Sequence, residues 1–324
     1  MRLVPNFKGI DFFPHGLMLP FMRFKQVCFI ASIVGMALSL LVIGVRGFNY
    51  GVDFKGGMSL EVQSKTGPAD IGALRAKLGT LGLGDVQVQS FGSAVDVLIR
   101  VGLQEGKDPK DAEVKQQEAQ KTVLQSLGDA YTLRRSEIVG PAVSAELRTT
   151  GLIAVLASIM AIIVYVWFRF EWQFAVGAVM ALCHDVLLTA GLFALMQYEF
   201  DLSIVAALLT ILGYSVNDTV VVADRIRENL RKYKRMPLNE LLNLSINETL
   251  SRTILTGMTT LVVLVVLYIW GGAVIRNFNF AMLFGVLIGT YSSIFIAAPI
   301  LDYLGVKRDW SENAPSGGGG KARV

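Results

Sequence analysis

The sequence predicts an α-helical polytopic membrane protein with six transmembrane helices and one α+β domain held outside the bilayer. Three observations predict it. Of the 324 residues, 53% are hydrophobic and 17% charged, and the apolar residues gather in blocks long enough to cross a bilayer. Between the first and second blocks, about a hundred residues (46–149) contain no such block, which is the size of a small domain. That stretch alternates strand-like and helix-like patterns.

The six blocks are Val27 to Val45, Gly151 to Phe168, Phe174 to Met196, Leu202 to Ala223, Thr253 to Trp270 and Phe280 to Leu304. Each covers about 30 Å as a helix, some with tilt. Residues 27–45 form the first span and 150–304 a five-helix bundle. Lys and Arg concentrate in the segment 1–26 (Arg2, Lys8, Arg23, Lys25), in the stretch Asp224 to Ser251 (Arg225, Arg227, Arg231, Lys232, Lys234, Arg235) and in the tail 305–324 (Lys307, Arg308, Lys321, Arg323). The opposite short connections, Gln197 to Asp201 and Gly271 to Phe278, hold only Arg276. Both termini are therefore expected on the cytoplasmic side and the insert on the other. The first span has a long preceding segment and no small-residue cleavage pattern, so it reads as a retained signal anchor. The tail, with Gly317 to Gly320, reads as disordered.

Several chemistries find no support. Cys28 and Cys183 both fall inside apolar blocks, which excludes a disulfide framework. His15 and His184 are the only histidines and no CxxC or HExxH spacing occurs, so neither a metal nor another cofactor is expected. The net charge of +4 follows the loop bias, and no aromatic residues interleave the basic run Arg225 to Arg235 as stacking on bases would need, so nucleic acid is not a partner.

Within the insert, Met58, Leu60 and Val62 alternate like a strand, and after Pro68 the residues Ile71, Leu74, Leu78 and Leu81 recur at helical spacing until Gly82 and Gly84. Val86 to Ser90 and Val95 to Val101 read as strands around a Phe-Gly-Ser turn, Glu113 to Leu127 as an amphipathic helix and Tyr131 to Val139 as a last strand. The order βαββαβ suggests a ferredoxin-like sandwich. Such a fold binds an extended polypeptide at a sheet edge or braces a partner equally well. The insert contains no histidine, so no Ser-His-acid triad assembles there and a non-enzymatic role is expected.

Asp218 is the residue that most needs a reason. It lies in an otherwise apolar span, where a carboxylate costs about 2.5 to 3.5 kcal/mol on insertion scales and must face a partner or a wet cavity. Arg252 opens the following span on the same side, and Asp218 sits about 9 Å from the midpoint of its own at 1.5 Å per residue, so the two are expected to meet in the cytoplasmic half. Proton or ion handling is the first hypothesis, and a snorkelling carboxylate that fixes packing by pairing with Arg252 is the plainer alternative. His184, Asp185 and Asn217 are secondary candidates: histidine is the side-chain type suited to proton exchange, so His184 would join a proton path, or the pair simply hydrogen-bonds a neighbouring helix. Gly213, Gly257, Gly285 and Gly289 read as close helix contacts, and Asp224 and Arg225 as an interfacial cap. Asp53 and Lys55, with Gly56, Gly57 and Gly140, flank the insert like hinges.

The segments that carry an identity are ordered along the chain. They are Gly51-Val52-Asp53-Phe54-Lys55-Gly56-Gly57 after the first span, Ile138-Val139-Gly140-Pro141-Ala142-Val143-Ser144-Ala145-Glu146-Leu147 before the second, Ala181-Leu182-Cys183-His184-Asp185-Val186 in the third, Gly213-Tyr214-Ser215-Val216-Asn217-Asp218-Thr219 through Glu228-Asn229 closing the fourth, and Ser251-Arg252-Thr253. Together they closely resemble the SecD/SecF family of bacterial protein export, within the RND transporter superfamily, over Arg23 to Arg308. The resemblance implies an RND-type half in the inner membrane that pairs with a SecD-like subunit as a heterodimer, and that has the SecYEG channel, YajC, unfolded preprotein and membrane lipid as partners. It implies use of the proton-motive force late in export. The family's functional acid matches Asp218, its arginine in the next span matches Arg252, and a threonine one turn on matches Thr256, which makes these three the implied proton path. Two rival readings are an RND-type exporter half for small molecules or lipids, disfavoured by the single small insert, and a scaffold that moves no protons.

Overall fold

The computed structural model describes residues 18–306. Arg2, Lys8 and His15, the basic tail residues Lys307, Arg308, Lys321 and Arg323, and the expected disorder of the tail lie outside the described residues. Six helical spans are long and apolar enough to cross a membrane: α1 (Lys25–Arg46), α5 (Pro141–Arg169), α6 (Trp172–Met196), α7 (Leu202–Lys232), α8 (Leu238–Trp270) and a last span, Arg276–Tyr303, built from α9 (Arg276–Ser292) and α10 (Ala298–Tyr303). Half or more of the apolar window is buried in α6, α7 and the last span, whereas α1, α5 and α8 turn most of theirs outward. The core is thus a three-helix centre with three peripheral helices.

Helices run past the apolar blocks wherever an amphipathic face still has something to bury. The basic stretch between the fourth and fifth apolar blocks is largely helical. α7 continues to Lys232 and α8 starts at Leu238, and Ile226, Leu230, Leu241, Leu242 and Ile246 are all buried in one cluster. Asn229 Nδ2 clamps this hairpin, donating to Ser245 Oγ at 3.0 Å and Glu248 Oε2 at 2.7 Å. α5 begins at Pro141, well before the apolar block, because proline at the first helical position sacrifices only an N–H that has no intrahelical acceptor. The last span passes through a π turn, Ser293–Ala297, just before Pro299. Proline clashes with the carbonyl four residues back, here that of Phe295, and the widened turn accommodates it.

Close backbone approach joins the centre. A side-chain carbon at Gly285 would overlap Ile211, and one at Gly289 would lie 3.1 Å from Ser215 Cβ, so α9 packs tightly on α7. Gly257 has only ordinary contacts, 3.7 Å from Thr290 Oγ1 and Tyr214 Oη, and Gly213 faces open space. Among the described residues Gly213 makes no close helix contact and lies on the outward face of α7. Gly191, not singled out by the sequence, is where α6 meets Ser39 of α1.

The insert comprises β2 (Gly57–Ser64), α3 (Ile71–Gly79), β3 (Val86–Phe91), β4 (Ser93–Val101), α4 (Pro109–Leu127) and β5 (Tyr131–Val139). Its four strands pair antiparallel in the order β3-β4-β2-β5. Asp70 and Asp108 cap the helices, their Oδ1 atoms accepting the amides of Ala73 at 2.9 Å and Asp111 at 2.8 Å. One sheet face, with Met58, Leu60, Val62 and Ile99, packs on Leu78 and Val123 of the two helices. The other face, polar and carrying Gln63, Asp96 and Arg100, overlies the end of the bundle near Ala273 and Arg276. Three further elements were too short for any periodic signal: β1 (Asn49–Tyr50), α2 (Val52–Lys55) and β6 (Glu199–Phe200), with β1 and β6 paired in parallel.

Candidate functional site

On α7 the buried stripe runs through Leu208, Ile211, Ser215, Asp218 and Val222, steps of three and four that keep one helical face inward. Asp218 is on that stripe and only 3% exposed. Its neighbour Asn217, rotated by one residue, is exposed and stands away from the carboxylate's surroundings. Asp218 Oδ2 is buried and accepts no hydrogen bond among the described residues. The same helix pair carries other buried hydroxyls without partners, Thr219 on α7 and Thr253 on α8. Tyr214, one turn before Asp218, directs its hydroxyl toward Thr256 and Thr260 of α8 without closing a hydrogen bond of good geometry. Unpaired buried polar atoms are costly, so several in one place call for a physical reason.

Arg252 does not close an ion pair. It lies within electrostatic reach of Asp218, yet no hydrogen bond or salt bridge joins them among the described residues, and Arg252 is exposed. The buried stripe of α8 passes through Leu250, Thr253 and Gly257, which leaves Arg252 on the outward flank. The expected contact at similar depth is thus corrected to an open pair, within electrostatic reach but not in contact. Thr256, implied by the resemblance, turns back on its own helix, its Oγ1 donating to the carbonyls of Arg252 and Thr253 at 3.0 Å each.

His184 and Asp185 form a second buried polar cluster. Both are fully buried. His184 Nδ1 lies 2.9 Å from Asp185 Oδ1, and Asp185 Oδ2 accepts from Ser215 Oγ of α7 at 2.6 Å and Ser292 Oγ of α9 at 2.9 Å. His184 Nε2 has no hydrogen-bond partner among the described residues, and its ring stacks on Tyr291, whose hydroxyl bonds Ser32 Oγ and the Cys28 carbonyl of α1. Three spans, α6, α7 and the last, therefore meet around one carboxylate, and α1 joins them through Tyr291. Ser215 stands one turn before Asp218, which ties this cluster mechanically to the first.

The flanking residues hold the insert rather than leave it loose. Asp53 Oδ2 accepts the Leu202 amide at 2.8 Å, tying α2 to the start of α7. Gly56 and Gly57 take φ values of 75° and 114°, and a side-chain carbon at Gly57 would sit 2.5 Å from the Val101 carbonyl. Gly140 caps α5 in ordinary extended backbone, φ −72°. Lys55 closes the short α2. Asp224, expected as an interfacial cap, reaches Arg169 Nη2 at 3.3 Å, and Arg225 pairs with Glu228 at 2.9 Å. Sequence reasoning missed Tyr214, Ser215 and Ser292, whose only signal was a hydroxyl inside an apolar span. It also missed the pair Arg100 and Glu199, which come from elements 99 residues apart.

The family model for the C-terminal part of the protein export membrane protein SecD/SecF matches residues 119–307. The chain belongs to the SecD/SecF family. A second model, the SecD/SecF GG motif, matches residues 41–67, where Gly56 and Gly57 lie. The protein translocase subunit SecF of Rhodobacter capsulatus is 48% identical over 328 residues, covering 98% of this chain and 95% of that protein. The SecF of Rickettsia akari is 47% identical, covering 93% and 94%. The crystal structure of SecDF from Thermus thermophilus, described as a translocon-associated membrane protein, superposes with a TM-score of 0.79 at 34% identity and covers 90% of this chain. This chain spans 39% of that longer SecDF chain. The architecture is accordingly that of a SecD/SecF membrane half of the RND type, and the chain is similar throughout to accessory subunits of protein export.

Proposed function

We propose that the chain is the SecF-type, non-enzymatic half of an export accessory that uses the proton-motive force, with a SecD-type half, to help draw unfolded preprotein outward through the SecYEG channel, with YajC as a further neighbour. Asp218 carries the reading: a carboxylate on the inward face of a membrane helix, one oxygen without a hydrogen bond, is what a proton acceptor requires and what a packing residue avoids. When Asp218 is ionised, its field draws the Arg252 guanidinium, since little water screens charges there. Protonation cancels the attraction and frees α8 relative to α7, with Thr256 on the Arg252 turn and the His184–Asp185 cluster following through Ser215. One proton falling through 100 mV supplies about 2.3 kcal/mol, on the scale that separates conformers.

The same reading puts both termini and the basic α7–α8 hairpin on the cytoplasmic side of the bacterial inner membrane and the insert, a ferredoxin-like sandwich, on the periplasmic side. Domain limits at 46–149 and 150–304 follow, with Asp53, Gly56, Gly57 and Gly140 at the joints. The test is export into inverted membrane vesicles containing the Asp218→Asn complex, with and without a protonophore. Loss of the protonophore-sensitive stimulation is expected, and retention at the parental level would favour the scaffold reading.

A further inference from the structure

Where the polar face of the insert meets the outer end of the bundle, one ion pair among the described residues crosses the seam. Glu199 of β6 follows α6 through Gln197, a non-glycine residue at φ 55°. It pairs with Asn49 in the parallel β1–β6 ladder, and Gly51 N–H donates to the Phe200 carbonyl at 2.9 Å. Asn49 Nδ2 donates to the Gln197 carbonyl at 3.1 Å, and Gln197 Nε2 to the Gly47 carbonyl at 3.2 Å. From the opposite side Arg100 of β4 donates through Nη2 to Glu199 Oε2. Both side chains are largely buried, at 14% and 20% exposure, and Arg100 Nε has no hydrogen-bond partner among the described residues. The other carboxylate oxygen packs on the backbone, since a side-chain carbon at Gly51 would meet Oε1 at 2.9 Å.

We propose that Glu199 is a proton-binding site on the insert's side of the membrane, and that the proton it takes up tightens the seat of the insert on the bundle. Burial, the largest influence, pushes its carboxyl up to about 7; Arg100 opposes that rise, while Asp201, Asp53 and Glu137 add to it. Across the adjoining cleft of about 250 Å³ stand Arg276 and Tyr198, and across a second, of about 290 Å³, Asp85 and Lys55. The direction follows from linkage. If the insert lifts, Glu199 meets water and returns toward its ordinary value of 4.5, so the seated form holds the proton more firmly. Seating is then fully favoured below the ordinary value and weakens as pH rises through about 7, by up to about tenfold per pH unit between the two. This is opposite to a simple ion-pair latch, which acid would open. Here Arg100 does not recover what the ionised carboxylate loses in leaving water beside three other acids.

The test is hydrogen exchange on the full chain with its SecD-type partner in lipid nanodiscs, following the Gly51 amide and the segment 199–202 from about pH 6 to about pH 8, corrected for intrinsic exchange. Protection in the parent should fall with rising pH, and in Glu199→Gln it should stay high and flat. Arg100→Gln removes the one cation that opposes the rise, so its falling limb should move to higher pH. A flat parental profile, or a parental slope retained in Glu199→Gln, overturns the proposal. Should Glu199→Gln fail to assemble, an unmoved limb in Arg100→Gln overturns it instead. The same slope is expected in Asp218→Asn, so this result stands or falls apart from the role given to Asp218.

Discussion

Asp218→Asn keeps the size and hydrogen-bonding groups of the side chain but cannot release a proton, so the complex should assemble while proton-coupled stimulation of export disappears. Asp224→Asn is the control. Its ion pair with Arg169 is about half exposed, where a charge pair contributes about 0 to 1 kcal/mol, and export should be unchanged. Arg252→Met should abolish stimulation as Asp218→Asn does, yet destabilise little, because no closed buried pair exists to break. A closed one would cost about 3 to 5 kcal/mol on losing a partner, and a drop of that size in thermal or denaturant stability would show that the two residues do engage. Ser215→Ala takes away the shorter of the two hydroxyl donors to Asp185 Oδ2. It should lower stability by about 1 to 3 kcal/mol, read from the unfolding midpoint in detergent, and reduce coupling without removing it.

At the scale of elements, backbone proximity decides which glycines matter. Gly57 opens β2 at φ 114° with the Val101 carbonyl directly behind it. Gly57→Ala should destabilise the insert by about 1 to 3 kcal/mol, measurable as early loss of exchange protection in β2 and β4 while the spans stay protected. Gly213→Ala, facing open space on α7, should be tolerated in the isolated chain, and a loss of partner co-purification on that substitution would place Gly213 in the contact between halves. Ser292 closes α9 immediately before the π turn, and its hydroxyl and that of Ser215 on α7 reach the same Asp185 oxygen.

For the whole molecule, the chain spans 39% of the SecDF chain, and the proposed reading pairs it with a SecD-type half. The chain reconstituted alone should show no proton-dependent export, and co-purification in mild detergent should recover a larger SecD-type protein. Motion of the insert is testable within this chain. A side-chain carbon at Gly92 would lie 3.1 Å from Ala273 Cβ, close to the spacing a disulfide spans. The pair Gly92→Cys and Ala273→Cys should therefore lock the seat on oxidation and stop export, with recovery on reduction. Full export in the crosslinked state would show that the insert works without lifting.

The sequence by itself determined the six spans, the βαββαβ order of the insert and the place of Asp218, because each rests on local signals: apolar blocks as long as a bilayer is thick, alternation against 3.6-residue spacing, and the cost of a charge in hydrocarbon. Arg252 was correctly placed in the chain but not in space, since its position at the start of an apolar block says nothing about which face of α8 it occupies. Tertiary structure alone decided that the Asp218–Arg252 pair stands open, that Asp185 gathers serines from α7 and α9, and that Arg100 meets Glu199 across the seam. Those contacts join residues dozens of positions apart in the chain. Two-residue strands such as β1 and β6 have no period to read, and they form only because the fold brings two short connections side by side.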